Sequence, residues 1–151
     1  MEELSTIPTP CTTKIEALRT SIAQIIVGQT QATDLLLTSV IARGHVLIEG
    51  VPGVAKTLLA RVMAQLIDAR FSRVQFTPDL MPSDVLGTTV YNMKTGDFDF
   101  HPGPVFADVV LADEINRAPA KTQAALFEVM EERQVTVDGS TYPLQTPFTV
   151  I

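Results

Sequence analysis

Apolar residues at helical spacing predict four helices along the chain. The first helix follows residues 1–12, which we expect to form a flexible N-terminal arm because they hold two prolines and several Ser and Thr. The ordered domain is therefore expected over residues 13–151. The predicted buried stripes of the four helices are, in order, Ile15, Leu18, Ile22 and Ile25; Ala32, Leu36 and Val40; Leu59, Met63, Leu66 and Ile67; and Ala120, Ala124, Phe127 and Met130.

Short runs rich in apolar residues predict strands between these helices, at 45–49, 73–76, 109–112 and 147–151. Strands that are apolar throughout are typical of a parallel sheet that is covered on both faces. Because they alternate with helices, the sequence predicts a three-layer α/β domain with a parallel sheet.

Two predicted β-hairpins interrupt the alternation. The first spans about 88–101 with its turn at 94–97, and the second spans about 134–145 around Asp138-Gly139. An Asp-Gly pair between two strands is a strong signal for a two-residue hairpin turn. We predict both hairpins to be insertions in the α/β domain.

Composition and charge restrict the partners that we expect. The net charge of −6 argues against a nucleic-acid groove, which needs clustered Lys and Arg. The N-terminus does not have the pattern of a signal peptide, and the apolar runs are far shorter than the roughly 18 residues of a membrane span. The single cysteine, Cys11, cannot form an internal disulfide. We expect a cytoplasmic protein with no nucleic-acid or membrane partner.

The segment between the first strand and the third helix has the pattern of a phosphate-binding P-loop. It reads Gly50-Val51-Pro52-Gly53-Val54-Ala55-Lys56-Thr57. The two glycines let consecutive N–H groups point at a phosphate, and the helix that follows adds its N-terminal partial charge. We predict that Lys56 reaches the β- and γ-phosphates of ATP and that the Thr57 hydroxyl binds Mg²⁺.

The alternative is a glycine turn followed by an unrelated Lys-Thr pair. The usual motif also has glycine before the lysine, where this chain has Ala55. An alanine is tolerated there only if the position already lies in the helix. A strand before the motif and a helix after it favour the P-loop.

The strand at 109–112 ends in two acids, Asp113 and Glu114. In a parallel α/β sheet, ligands bind at the carboxyl ends of the strands. We predict that Asp113 holds Mg²⁺ and that Glu114 is the catalytic base for the attacking water. Solvated surface acids are the alternative, and the P-loop upstream makes it less favourable.

Four motifs together resemble the MoxR family of AAA+ ATPases. They are the P-loop, Leu80-Met81-Pro82-Ser83-Asp84, Gly103-Pro104-Val105-Phe106-Ala107, and the run from Leu111 to Pro119 that contains Asp113-Glu114-Ile115-Asn116-Arg117. The resemblance covers about residues 26–151. Alanine before the P-loop lysine also occurs in that family.

The resemblance implies further contacts and partners. Val27, Gly28 and Gln29 resemble the segment that lies against adenine, and the nucleotide contacts continue from the P-loop to Leu58. The two hairpins resemble the helix-2 insert and the pre-sensor-1 hairpin, which in related rings face the pore and touch the client. Family members form rings, commonly hexamers, act as chaperone-type ATPases and often pair with von Willebrand factor A domain proteins.

The resemblance also places the sensor-1 residue, the arginine finger, a fifth strand and a helical lid beyond Ile151. We therefore expect the sequence to be the N-terminal part of an AAA+ core, with negligible hydrolysis on its own. Mg²⁺-dependent ATP hydrolysis that remodels partner proteins is the favoured function. The alternatives are a nucleotide-responsive binding module and a truncated, inactive fragment. For Asn116 and Arg117, a structural role and a role near the active site both remain open.

Overall fold

The computed structural model describes residues 10–49 and 56–151. The helices are α1 (Pro10–Ile25), α2 (Thr30–Ile41), α3 (Lys56–Leu66), α4 (Pro82–Leu86) and α5 (Ala120–Glu132), with a short 3-10 helix at Ile115–Arg117. The strands are β1 (Phe71–Gln75), β2 (Gly87–Asn92), β3 (Asp97–Pro102), β4 (Val109–Asp113), β5 (Gln134–Val137), β6 (Ser140–Pro143) and β7 (Thr149–Val150).

A three-stranded parallel sheet in the order β1-β4-β7 lies at the centre. Phe71 lies opposite Val109, Gln75 lies opposite Asp113, and Val109 lies opposite Thr149 on the other side. Strands β2 and β3 form one antiparallel hairpin, and β5 and β6 form a second. The α/β class, the parallel sheet and the two hairpins are therefore confirmed.

Alternate residues of the central strands pack on opposite faces of the sheet, as the two-residue period of a strand requires. On one face, Val109 and Leu111 join the buried residues of α1, α2 and α3. On the other face, Val110 and Val150 join buried residues of α4 and α5. The sheet is thus a middle layer between two groups of helices.

The prediction of a strand at 45–49 is wrong. The segment lies beside β7 and the Val46 N–H donates to the Val150 carbonyl at 3.0 Å, but its residues have no regular strand pairing. A ladder needs repeated bonds, and β7 offers only two residues of strand. The Leu47 side chain is 77% exposed.

Two details of the predicted helices are also corrected. Helix α1 begins at Pro10 instead of Thr13, since proline suits a first helical turn, where its missing N–H would have no partner. Near its end Ile26 is buried and Ile25 is 53% exposed. In α5 the buried residues are Thr122, Leu126 and Val129, and not the predicted Ala120, Ala124 and Phe127.

The buried face of α5 is rotated because Thr122 points inward. Its hydroxyl donates to the Leu80 carbonyl at 2.7 Å, which satisfies a polar group that is 1% exposed. Leu80 precedes α4, a helix that the prolines of this region had not predicted. Pro82 takes the first helical position of α4, and the Asp84 carboxylate accepts a hydrogen bond from the Met81 N–H at 2.8 Å.

The two hairpins contact each other on the face covered by α5. The rings of Phe100 in β3 and Tyr142 in β6 stack with centroids 3.9 Å apart and planes at 13°. The Thr89 hydroxyl of β2 donates to the carboxylate of Asp138 in the second turn. The base of the first hairpin is closed by Gly87 and Gly103, which approach each other so closely that a Cβ on Gly103 would lie 2.5 Å from the Gly87 nitrogen.

Arg70 and Asp108 link the amino-terminal ends of β1 and β4. Asp108 accepts bonds from Nε and Nη2 of Arg70 at 3.1 and 2.8 Å and from the Arg70 backbone N–H at 2.8 Å. These bonds from Arg70 hold the pKa of the Asp108 carboxyl below its ordinary value.

Candidate functional site

Helix α3 supplies the first part of the candidate site. Lys56, Thr57 and Leu58 form its first turn, with Lys56 and Thr57 half-buried and Leu58 45% exposed. The predicted loop residues Gly50, Val51, Pro52, Gly53, Val54 and Ala55 lie outside the described residues. The partial positive charge at a helix N-terminus favours anions, so the start of α3 is suited to a phosphate.

Asp113 is the last residue of β4 and lies on the face of the sheet that α3 covers. Its side chain shares this face with Leu111, two residues before it in the strand, and Leu111 packs in the same cluster as Leu59 and Met63 of α3. The carboxylate is held by Arg73 of the neighbouring strand β1, with Nη2 2.7 Å from Oδ2. The Arg73 Nη2 also donates to the Gln75 side-chain oxygen at 3.0 Å.

Glu114 leaves the strand in an unusual backbone conformation. Its φ and ψ are 57° and 42°, in the left-handed region that a residue with a side chain enters at a cost of about 1–2 kcal/mol. The turn ends the alternation of β4 and opens the short 3-10 helix. The carboxylate is paired with Arg117, whose Nε lies 2.6 Å from Oε2, and the Arg117 N–H donates to the Glu114 carbonyl at 2.9 Å.

A cleft beside α2 is lined by two of the residues predicted to contact adenine and by the segment that precedes the P-loop. Its volume is about 340 Å³, within the usual range of ligand sites. The lining residues are Gly28, Gln29, Gln31, Ala32, Leu35, Val46, Leu47, Ile48 and Glu49. Gly28 has a φ of +80°, which makes the turn between α1 and α2. Val27 is 88% exposed and lies next to this cleft in sequence without lining it.

These groups fit a magnesium nucleotide by their donor chemistry. Mg²⁺ prefers oxygen ligands and is usually held by one or two protein groups together with phosphate oxygens and water. The Thr57 hydroxyl and the Asp113 carboxylate offer oxygens of this kind, and α3, which carries Thr57, covers the sheet face on which Asp113 lies. The mixed apolar and amide lining of the cleft is suited to a flat heterocycle with a polar edge.

Comparisons with known proteins give the family. Residues 45–151 match the model of the ATPase family associated with various cellular activities (AAA). Chaperone MoxR1 of Mycobacterium tuberculosis is 52% identical over 130 residues, which cover 86% of this chain and 34% of that protein. Protein MoxR of Methylorubrum extorquens is 39% identical over 126 residues, 80% of this chain and 36% of that protein.

The chain belongs to the MoxR family of AAA+ ATPases.

A crystal structure supports the fold of this MoxR-family chain. The structure, of a candidate ATPase from Cytophaga hutchinsonii, superposes with a TM-score of 0.81 at 48% identity and covers 91% of this chain and 42% of that one. The chain thus spans roughly a third to two fifths of the length of the relatives it matches. Among the helices of the described residues, none is long and apolar enough to cross a membrane.

Two arginines at the acidic strand end of this MoxR-family chain have no role that the sequence alone reveals. The contact of Arg73 with Asp113 depends on β1 and β4 being neighbours. The alternating pattern of a strand places Arg73 and Gln75 on one face, but not beside Asp113. For Arg117 the sequence leaves two alternatives open, and the structure pairs it with Glu114.

Proposed function

We propose that the protein that carries this chain binds ATP with Mg²⁺ and hydrolyses it. The observation that supports this most is the position of Asp113 at the carboxyl end of β4, on the α3 face, followed at once by Glu114 in a turn. In this proposal, the end of β4 supplies the Mg²⁺ ligand and the base, and the helix α3 that covers this face of the sheet supplies Lys56 and Thr57.

In this proposal each residue has one role. Lys56 neutralises charge on the β- and γ-phosphates, and Thr57 and Asp113 hold Mg²⁺, which stabilises negative charge on the phosphate oxygens when bound. Glu114 accepts a proton from the attacking water while the oxygen of that water bonds to the γ-phosphorus. The bond between that phosphorus and the bridging oxygen breaks, and ADP leaves. Gly28 and Gln29, with Val27 beside them, contact the adenine.

Substitution of Glu114 tests the role of the base. In the full-length protein, Glu114→Gln should reduce turnover by about a hundredfold or more, because general-base catalysis contributes on this scale. Its affinity for a fluorescent ATP analogue with Mg²⁺ should be retained. Glu128→Gln, at an exposed position of α5, is the matched control and should leave turnover unchanged.

Nucleotide binding itself is tested at Lys56. Lys56→Ala should abolish binding of the same analogue, because the ammonium charge on the phosphates is lost. Retained affinity in Lys56→Ala would exclude the P-loop assignment. Normal turnover in Glu114→Gln would remove Glu114 as the base, whereas binding without turnover in the unsubstituted protein would favour the nucleotide-responsive binding module.

We also propose that the full protein assembles into a homo-oligomeric ring, a hexamer by family resemblance, and remodels partner proteins. The name of its relative MoxR1, a chaperone, supports remodelling. A partner with a von Willebrand factor A domain rests on the family resemblance alone. Light scattering of the full-length protein with and without ATP tests the ring, and a monomer under both conditions would exclude it.

A further inference from the structure

Arg73 makes a contact that the proposed nucleotide chemistry does not use. Its guanidinium reaches from β1 across to the end of β4 and lies 2.7 Å from the Asp113 carboxylate. The same nitrogen donates to the Gln75 side chain at 3.0 Å. Because Gln75 lies opposite Asp113 in the parallel register, the two acceptors stand side by side on the α3 face.

The pair has the character of an exchangeable contact. The side chains of Arg73 and Asp113 are 46% and 33% exposed, so solvent screens their attraction and the contact adds little to the stability of the fold. Burial does not fix Arg73 in this position. Its second acceptor, Gln75, is neutral and lies on the same strand as Arg73. The guanidinium therefore keeps a hydrogen-bond partner when Asp113 binds another cation.

Arg73 and Mg²⁺ would both bind the carboxylate of Asp113. Both are cations that bind carboxylate oxygens, and the guanidinium N–H that Oδ2 accepts at 2.7 Å occupies a lone pair that a metal about 2 Å away could use. Two cations close to one carboxylate also repel each other. Occupation of Asp113 by one therefore disfavours the other.

We propose that Arg73 is a positioning residue that holds Asp113 until nucleotide binds and then yields it to Mg²⁺, retaining its hydrogen bond to Gln75. This inference rests on the proposed function, since it takes Asp113 as a Mg²⁺ ligand. Its consequence is specific: Arg73 opposes Mg²⁺-dependent nucleotide binding and has little effect on nucleotide binding without Mg²⁺.

The test compares the affinity for a fluorescent, non-hydrolysable ATP analogue in excess Mg²⁺ and in EDTA, using the full-length protein. The affinity in Mg²⁺ divided by the affinity in EDTA is the affinity ratio. This ratio should rise about two- to fivefold in Arg73→Gln, the range that the loss of an exposed charge pair allows. Arg73→Lys keeps the charge but lacks the planar guanidinium, so its affinity ratio should lie between those of Arg73→Gln and the unsubstituted protein. The melting temperature should be the same within error in all three.

Arg61→Gln is the matched control. Arg61 is an exposed arginine of α3 that lies over the Phe71 ring, 5.7 Å from its centroid, so its removal changes the net charge equally. Its affinity ratio should stay unchanged. An unchanged or lower ratio in Arg73→Gln, an equal rise in Arg61→Gln, or a loss of binding in EDTA as well as in Mg²⁺ would each overturn the inference alone. No nucleotide binding by the unsubstituted protein would overturn both the inference and the proposed function.

Discussion

The two faces of the central sheet are built from different kinds of contact. At the carboxyl end of β4, the polar groups are joined by partly exposed charge pairs, Arg73 with Asp113 on the face covered by α3 and Arg117 with Glu114 in the turn that follows the strand. On the face covered by α5, a stacked ring pair joins the two hairpins, and the close approach of Gly87 and Gly103, the glycine crossing, closes the base of the first hairpin. Exposed ion pairs are weak and exchange readily, whereas packed rings and backbone contacts do not.

This difference bears on the proposed nucleotide site. A site that accepts a charged ligand needs partners that the ligand can replace at little cost, and partly exposed ion pairs meet this need. The stacked rings on the other face instead hold the two hairpins against each other. Alternate residues of the same strands pack on both faces, since Leu111 lies on one face and Val110 on the other.

Truncation of one core residue on each side should give the largest effects. Met63→Ala on the α3 side and Leu126→Ala on the α5 side remove side chains that are at most 1% exposed, and each should lower the free energy of unfolding by about 2–5 kcal/mol. Only Met63→Ala should also weaken nucleotide binding, because α3 carries Lys56 and Thr57.

Urea denaturation and nucleotide titration of the same samples measure this separation. Affinities are corrected for the folded fraction before they are compared. If both variants lose affinity equally after this correction, the two faces are coupled, which would contradict this separation.

The sequence predicted those parts of the molecule that depend on local signals. An apolar run followed by two acids identified the end of β4, and Asp138-Gly139 identified the second hairpin turn, where φ is +50° and +78°. In both cases a few adjacent residues determine the local conformation. The glycine spacing also predicts a P-loop, which stays a prediction because residues 50–55 lie outside the described residues.

Contacts between distant segments were not predictable. Thr122 is buried because its hydroxyl meets the carbonyl of Leu80, 42 residues earlier, and a polar residue at that position gave no sign of it. The Arg73–Asp113 contact needs the strand order, which local patterns do not contain. The 45–49 segment was predicted as a strand from its composition, but pairing depends on how much of β7 lies beside it.

A substitution at the glycine crossing should give the next largest effect. A Cβ at Gly103 would lie 2.3 Å from the Val85 carbonyl oxygen and 2.5 Å from the Gly87 nitrogen, and both are backbone atoms that cannot rotate away. Gly103→Ala should therefore lower the free energy of unfolding by about 1–3 kcal/mol.

Gly96→Ala at the tip of the same hairpin is the control for this loss. Its φ is +76° with open space around it, so it should cost only the backbone term of about 1 kcal/mol. Thermal unfolding gives both values. A smaller loss in Gly103→Ala than in Gly96→Ala would mean that the crossing is not tight.

His45 should make stability depend on pH. Its Nδ1 accepts the Val150 N–H at 3.0 Å and its Nε2 donates to the Met130 carbonyl at 3.2 Å, an arrangement that needs the neutral ring. Burial lowers the pKa of this imidazole. The unfolded chain therefore binds the proton first, so stability is complete above the ordinary pKa of about 6.5 and is lost as pH falls below it.

The loss at low pH should be about 1 kcal/mol, because protonation of Nδ1 removes an acceptor from the Val150 N–H. Urea midpoints between pH 7.5 and 5.5 measure it. The dependence should disappear in His45→Gln and persist in His101→Gln, which changes the other, exposed histidine. A dependence that follows His101 instead would contradict this assignment.

The smallest predicted effect concerns the link between the hairpins. A double-mutant cycle on Phe100→Leu and Tyr142→Leu should give a coupling energy of about 0.5–1 kcal/mol, since the rings stack at 3.9 Å. Tyr91 and Phe98 are the control pair, with centroids 5.3 Å apart at 60° inside the first hairpin. Both cycles should show coupling in thermal unfolding. Of the two ring pairs, only the Phe100 and Tyr142 substitutions should raise amide hydrogen exchange in both hairpins, because Tyr91 and Phe98 both lie in the first hairpin. Exchange that rises in one hairpin alone would mean that the two hairpins move independently.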